Sequence, residues 1–418
     1  MVGFPGSTIF STFIDSFFHR KEPLRTEQDY LLPYPGFQSA FGLPLNAPER
    51  GNLGWINCPE PDPKLPAREG ALELRRLITN SIDALHSSNM PNVILICFPT
   101  RWAAWRGFKT EDERFDLHDF VKAYCVQRGI ATQFLDQDTL TNPQHCRVLW
   151  WLSLALYVKS KRTPWLLDAI EEDTAFVGLG YGIDTVAEKG RHVLLGCSHV
   201  YSPNGEGLQF RLSKIENPTM RRGNPYMSRD DARRVGDGIR QLFYDAMMTL
   251  PRRVVIHKRT FFSKDEREGL IQGLSGVQTV DMVEITIDES LRYVSSKPDG
   301  KGGFDEDNYP VRRGTTVVLD DHTALLWCHG VAAALNPRFK YYQGKRRIPA
   351  PLTLRRHAGS SPLALLGKEI LGLSKMNWNT FDLYTQLPST IETSNKIAKI
   401  GSLLDRIGPK SYDYRLFM

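Results

Sequence analysis

The residues TAFVGLGYGI (174–183), HVLLGCSHVYS (192–202) and GLQFRLSKI (207–215) decide how the chain folds. Three apolar runs follow one another with only turn residues between them, the pattern of an antiparallel meander. Beyond them the texture alternates. SRDDARRVGDGIRQLFYDAMMTL (228–250) predicts a helix, PRRVVIHKRT (251–260) a strand, SKDEREGLIQGL (263–274) a helix and VDMVEITID (280–288) another strand. Three strands in succession followed by an α/β portion is the order of an RNase H-like fold.

Toward the N-terminus the alternation of helix and strand begins earlier. LELRRLITNSIDALHSS (72–88) has helical spacing, and PNVILICFPT (91–100) reads as a buried strand bounded by Pro. EDERFDLHDFVKAYCVQRG (111–129) is a helix ended by Gly129, IATQFL (130–135) the next strand, and 146–159 a buried helix before TPW (163–165). The expectation is an α/β protein: a Rossmann-like domain over 71–165 and an RNase H-like domain over 166–418. Residues 1–70, with LLPYPGF, GLPLNAPERG and NCPEPDPKLP, read as extended Pro/Gly-rich surface chain that can wrap a partner or another domain.

Composition narrows the classes of function. The 418 residues carry 53 Lys and Arg against 47 Asp and Glu, a net charge of +6, which suits a polyanion partner. Six cysteines without CxxC spacing exclude a zinc ribbon and a disulfide framework. The N-terminus is a poor signal peptide, and the apolar run 148–158 is too short to span a bilayer, so a cytoplasmic protein without membrane contact is expected. No GxGxxG or GxxxxGK[ST] loop follows an expected strand, which ranks a nucleotide-binding enzyme last.

Several patterns together carry a family resemblance. His118 and Lys122 stand one helical turn apart, so both leave one helix face. Gln133 lies in the following strand, and Lys159, with Lys161 as its competitor, precedes the PW pair. FVGLGYGID (176–184), VVIHKRTFFSKDE (254–266), RRGTTVVLDDHTALLWCHG (312–330) and LSKMNWNTFDLYTQLPSTIETSNKIAKI (373–400) follow, and the chain stops at SYDYRLFM. From Pro91 onward the sequence resembles the MID and PIWI halves of the Argonaute family, and its length is similar to that of the short prokaryotic forms.

The resemblance implies that His118, Lys122, Gln133 and Lys159 hold a guide 5′-phosphate, with Gln133 and the Met418 carboxylate ligating magnesium. It also implies that the carboxylates of an active PIWI site are replaced here by Gly180, Lys258 and Asn395. A two-metal site without carboxylates cannot form, so no catalytic activity is expected. His257, Lys258 and Arg259 would then offer positive charge to nucleic-acid backbone. The rival is a guide-directed endonuclease working through the displaced carboxylates Asp184 and Asp265 or Glu266.

Further expectations follow from the resemblance: an RNA guide, a single-stranded DNA target, and a role in antiviral and antiplasmid defence. The partner would be an APAZ-containing effector subunit, an NADase or a nuclease, forming a heterodimer that assembles further on target binding. The N-terminal stretch and 293–310 are the candidate partner contacts. Arg221, Arg222, Lys345, Arg346, Arg347, Arg355 and Arg356 form further basic runs.

Overall fold

The structure is a computed structural model. It describes residues 1–4, 8–24, 31–111, 113–167, 173–184, 192–200, 209–307, 311–332, 341–342, 349–381, 385–401, 403 and 411–417.

The first domain is a four-stranded parallel sheet. Its strands are β1 (Val2–Gly3), β2 (Ile56–Asn57), β3 (Ile94–Phe98) and β4 (Thr132–Asp136), in the order β2-β1-β3-β4. Helix α1 (Thr8–Asp15) follows β1, and α2 (Ala67–Asn89) leads into β3. Helix α3 (Leu117–Gln127) lies between β3 and β4; the Asp116 side chain caps it by accepting from the Asp119 N–H, and Gly129, at φ 72°, ends it. Helix α4 (His145–Lys159) closes the domain.

Residues 1–70 are not the loose extended segment expected of them. Val2, Phe4, Phe10, Phe17, Tyr34, Phe37, Trp55 and Cys58 belong to the same buried cluster as Leu74, Ile96 and Leu149. β1 is an inner strand of the sheet, paired on both sides. The Pro-rich stretch crosses α4, with Tyr34 Oη 2.8 Å from Ser153 Oγ and Trp150 Nε1 donating to the Leu32 carbonyl at 2.9 Å. Few regular elements lie here, as the Pro and Gly content predicts, but β1, α1 and β2 are among them, and irregular chain can still be buried when aromatic residues anchor it.

The second domain is a nine-stranded mixed sheet. The expected meander is present as β5 (Thr174–Asp184), β6 (His192–Val200) and β7 (Gln209–Ile215), all antiparallel. After α5 (Arg229–Met247) come β8 (Arg253–Lys258), α6 (Lys264–Gly273) and β9 (Thr279–Ile287). β8 is parallel to both β5 and β9, and all six of its residues are buried, as a central parallel strand requires. Then follow β10 (Thr316–Val318), β11 (Thr323–Leu326), β12 (Leu352–Ala358), α7 (Leu363–Leu373), α8 (Ser389–Gly401) and β13 (Ser411–Asp413). The sheet order is β10-β11-β12-β9-β8-β5-β6-β7-β13.

The two faces of this sheet bury different helices. Ala175, Val177 and Leu179 of β5, with Val254 and Ile256 of β8, pack against Ala232, Val235 and Ile239 of α5 and Leu270 of α6. Phe176 and Val255 point the other way, into a cluster with Leu366 and Ile370 of α7, Ile391 of α8, and Leu154 and Val158 of α4. Helix α4 therefore serves both domains, since its Cys146, Leu149 and Leu156 lie in the first core. A helix apolar on all sides is one buried on all sides.

Candidate nucleic-acid interface

Two buried lysines meet where α3 and α4 converge on β4. Lys122 is 3% exposed and Lys159 2%, and their ammonium groups donate to the same carbonyl oxygen, that of Thr132, at 2.9 and 2.8 Å. Lys159 also donates to Gln133 Oε1, while Gln133 Nε2 donates to the Phe134 carbonyl at 2.9 Å. His118, one turn before Lys122, lays its ring against Phe134 with centroids 5.0 Å apart. The structure thus brings Lys122, Gln133 and Lys159 together with His118 beside them, and Lys161 is exposed.

Burial, which penalises the charged form, lowers Lys122 to about 8, and the Lys396 charge on α8 lowers it further. The same desolvation, with Lys122 as neighbour, holds Lys159 well below the usual lysine range. An anion of high charge density bound between the two amines would favour their charged forms.

The second domain closes this site. Tyr412, Leu416 and Phe417 of the tail pack with Ala123, Val126 and Ala131 around α3 and with Ile397 and Ile400 of α8. Lys399 of α8 pairs with Asp119 of α3 at 3.3 Å. His118 first, and Lys399 next, pull the Asp119 carboxyl below the usual range. Lys396 and Lys399 carry no signal in the linear sequence, because only the docking of α8 brings them here.

Of the residues expected to ligate magnesium, Gln133 has its carboxamide oxygen hydrogen-bonded to Lys159. Met418 lies outside the described residues. Asp116, His118 and Asp119 do offer ligand atoms within 4.8 Å of one another. Two of them already serve elsewhere, Asp116 as the α3 cap and Asp119 in the pair with Lys399.

At the C-terminal ends of β5 and β8 the three positions expected to replace carboxylates do not gather on one face. Gly180 lies flush against α8: a Cβ there would sit 2.6 Å from the Ser394 carbonyl carbon and 2.7 Å from Asn395 Oδ1. Gly180 and Asn395 therefore meet. Lys258 pairs in register with Leu179, on the opposite face. It is 1% exposed, bonds Glu266 at 2.6 Å, and has the Tyr226 ring centroid 4.6 Å from its nitrogen.

The parallel pairing of β8 with β5 ends with Lys258 opposite Leu179, and Arg259 follows outside the strand. Because successive side chains alternate faces, a one-residue difference in alignment changes which residue confronts the site.

The expected basic cluster is dispersed for the same reason. His257 is fully buried on the α8 face, with Nδ1 2.9 Å from Thr390 Oγ1. Lys258 points toward α6, so neither offers charge to a phosphate, while Arg259 is half-buried. Of the rival carboxylates, Glu266 is buried and accepts from Lys258, Tyr181 Oη and the N–H groups of Ser263 and Met227. Asp265 is exposed on α6, and the Asp184 side chain lies outside the described residues. Arg221, Arg222 and Arg355 are exposed, Arg356 donates to Asp321 and Ser361 carbonyls, and Lys345, Arg346 and Arg347 lie outside the described residues.

No family model matches the chain. An Argonaute of Aquifex aeolicus (strain VF5) is 24% identical over 293 residues, 68% of this chain and 36% of that protein. The Clostridium butyricum Argonaute, solved with a guide DNA and a 19-mer target DNA, aligns with all of this chain at a TM-score of 0.63 and 14% identity. A structure of Aa-Ago with externally bound siRNA does so at 0.59 and 18%. The chain is Argonaute-like.

It spans 49% of the length of each of those two solved Argonautes. Its first domain is the Rossmann-like MID fold and its second the RNase H-like PIWI fold. Among the described residues of this Argonaute-like chain, no helix is long and apolar enough to cross a membrane.

Proposed function

We propose that the chain holds a guide strand by its 5′-phosphate and recognises a complementary strand without cutting it. The observation that carries this reading is the convergence of Lys122 and Lys159 on one buried carbonyl beside Gln133 and His118. A terminal phosphate dianion draws both ammonium groups into charge-assisted bonds, and Lys suits it because a point charge needs no fixed fork geometry. Guide bases then supply sequence specificity while the protein reads backbone and shape.

Absence of cutting rests on Gly180, Lys258 and Asn395, which offer no carboxylate. The position at 180 also has no room for one while α8 stays in place. These residues do not fit a metal pair, and in this reading the lysines, rather than magnesium, neutralise the phosphate. The output then belongs to a separate APAZ-containing effector, an NADase or a nuclease, paired with this chain in a heterodimer of prokaryotic cytoplasmic defence. The resemblance favours an RNA guide and a single-stranded DNA target.

The test compares 5′-phosphorylated and 5′-hydroxyl guides in binding to the parent and to Lys122→Ala with Lys159→Ala. The parent should prefer the phosphate, and the double variant should lose about 10- to 100-fold for the phosphorylated strand alone, as expected for a charge-assisted bond. Equal binding by both proteins rejects the pocket. Magnesium-dependent cutting of a complementary strand would instead favour the endonuclease reading.

A further inference from the structure

The PIWI sheet ends on an exposed apolar edge. β10 is its outermost strand among the described residues and pairs only with β11, Thr316 opposite Leu326 and Val318 opposite Ala324. The flanking bonds, Leu319 N–H to the Thr323 carbonyl and Trp327 N–H to the Thr315 carbonyl, turn the odd-numbered residues toward β11. The N–H and C=O groups of Thr316 and Val318 are thereby directed outward, because antiparallel ladders alternate. Val317, Val318 and Leu319 are 39%, 54% and 56% exposed. An edge of this kind is a template for one more strand, and a row of exposed apolar residues there is the opposite of the usual protection by charge or proline.

The charge pattern selects the strand. The segment reads RRGTTVVLDD from Arg312 to Asp321, two cations at one end and two anions at the other. Arg312, Asp320 and Asp321 are exposed. The turn beyond is held in shape, with Arg356 Nη2 donating to the Asp321 carbonyl at 2.8 Å and the His322 N–H donating to Asp320 Oδ1 at 2.7 Å. Laid antiparallel on a copy of itself with Val317 opposite Val317, this segment places Thr316 opposite Val318 and the arginine end of each copy along the aspartate end of the other. A two-fold interface needs this kind of self-complementarity.

We infer that β10 pairs with β10 of a second copy of this chain, joining two PIWI sheets into one continuous sheet across a two-fold axis. β13, beside the MID phosphate pocket, lies at the other end of the sheet, eight strand spacings or roughly 38 Å away. Pairing therefore leaves both guide sites open and sets two of them outward on one assembly.

The test is sedimentation of the full chain without nucleic acid, at low and high micromolar concentration. The parent should approach twice 47.5 kDa as concentration rises, and Val318→Lys, which puts a charge on the exposed edge, should stay at 47.5 kDa. Arg312→Glu and Asp321→Lys should each raise the dimer dissociation constant at least tenfold. The two together should restore it, because the swap recreates complementarity on both sides of the axis. Circular dichroism and binding of a phosphorylated guide confirm that each variant is folded. A parent that stays monomeric throughout, including one that pairs only with a different protein, overturns the inference. So does a dimer that Val318→Lys leaves intact, or a charge swap that fails to restore association.

Discussion

Single residues in this chain are decided by their face as much as by their type. Lys258 looks like a nucleic-acid contact in the linear sequence, yet its ammonium is buried against Glu266 and three aromatic rings. Lys258→Met should lower stability by about 3 kcal/mol, because Glu266 would be left as a buried charge without its cation. Chemical denaturation measures this, and guide affinity should stay unchanged. His257 is the complementary case. Burial, and then the charge of Arg253, lower it from 6.5 to about 3, so it is neutral in the fold. Between those values the unfolded chain binds a proton that the folded chain does not, and stability falls as pH drops from 6.5 toward 3. Thermal unfolding of His257→Asn against pH should show a flatter acid limb than the parent.

At the scale of elements, the contact between β5 and α8 governs what the PIWI end can do. Gly180 and Gly182 let the helix approach so closely that a Cβ at 182 would lie 2.2 Å from the Ala398 carbonyl oxygen. Gly180→Asp should therefore cost about 1–3 kcal/mol through displacement of α8. Combining it with Lys258→Asp and Asn395→Asp should not yield magnesium-dependent cutting. A cleavage assay beside a melting curve checks both parts, and robust cutting would show that α8 yields readily. The same helix carries Lys396 and Lys399 toward the MID pocket, so a shift of α8 should also weaken preference for a phosphorylated guide.

For the whole molecule, the two domains share elements rather than a linker. Helix α4 contributes to both cores, and the tail crosses from the PIWI sheet to α3. The N-terminal residues complete the MID core instead of standing apart from it. Removing residues 1–58 should therefore expose the inner edge of β3 and the apolar side of α4. We expect such a chain to be protease-sensitive across MID and to lose phosphate-dependent guide binding. Limited proteolysis and binding of the truncated chain test this, and an intact, phosphate-selective product would show that the segment is only a covering.

Local patterns were sufficient for the order of the longer helices and strands from 72 to 288, because hydrophobic period and turn residues are properties of neighbouring positions, but they missed the short hairpins of 107–109 with 114–116 and of 219–221 with 224–226. The family resemblance pointed to Lys122, Gln133 and Lys159, which the fold brings together from two helices and one strand. The sequence did not reveal the burial of residues 1–58, which depends on aromatic residues finding a partner helix more than a hundred positions away. Nor did it show that Lys258 faces Glu266 and away from Gly180, because facing is a property of strand register and shifts completely with one residue. Neighbouring positions along the chain were enough for the main classes of element. Tertiary structure alone decided which side chains share a face, since packing acts between positions that the chain keeps far apart.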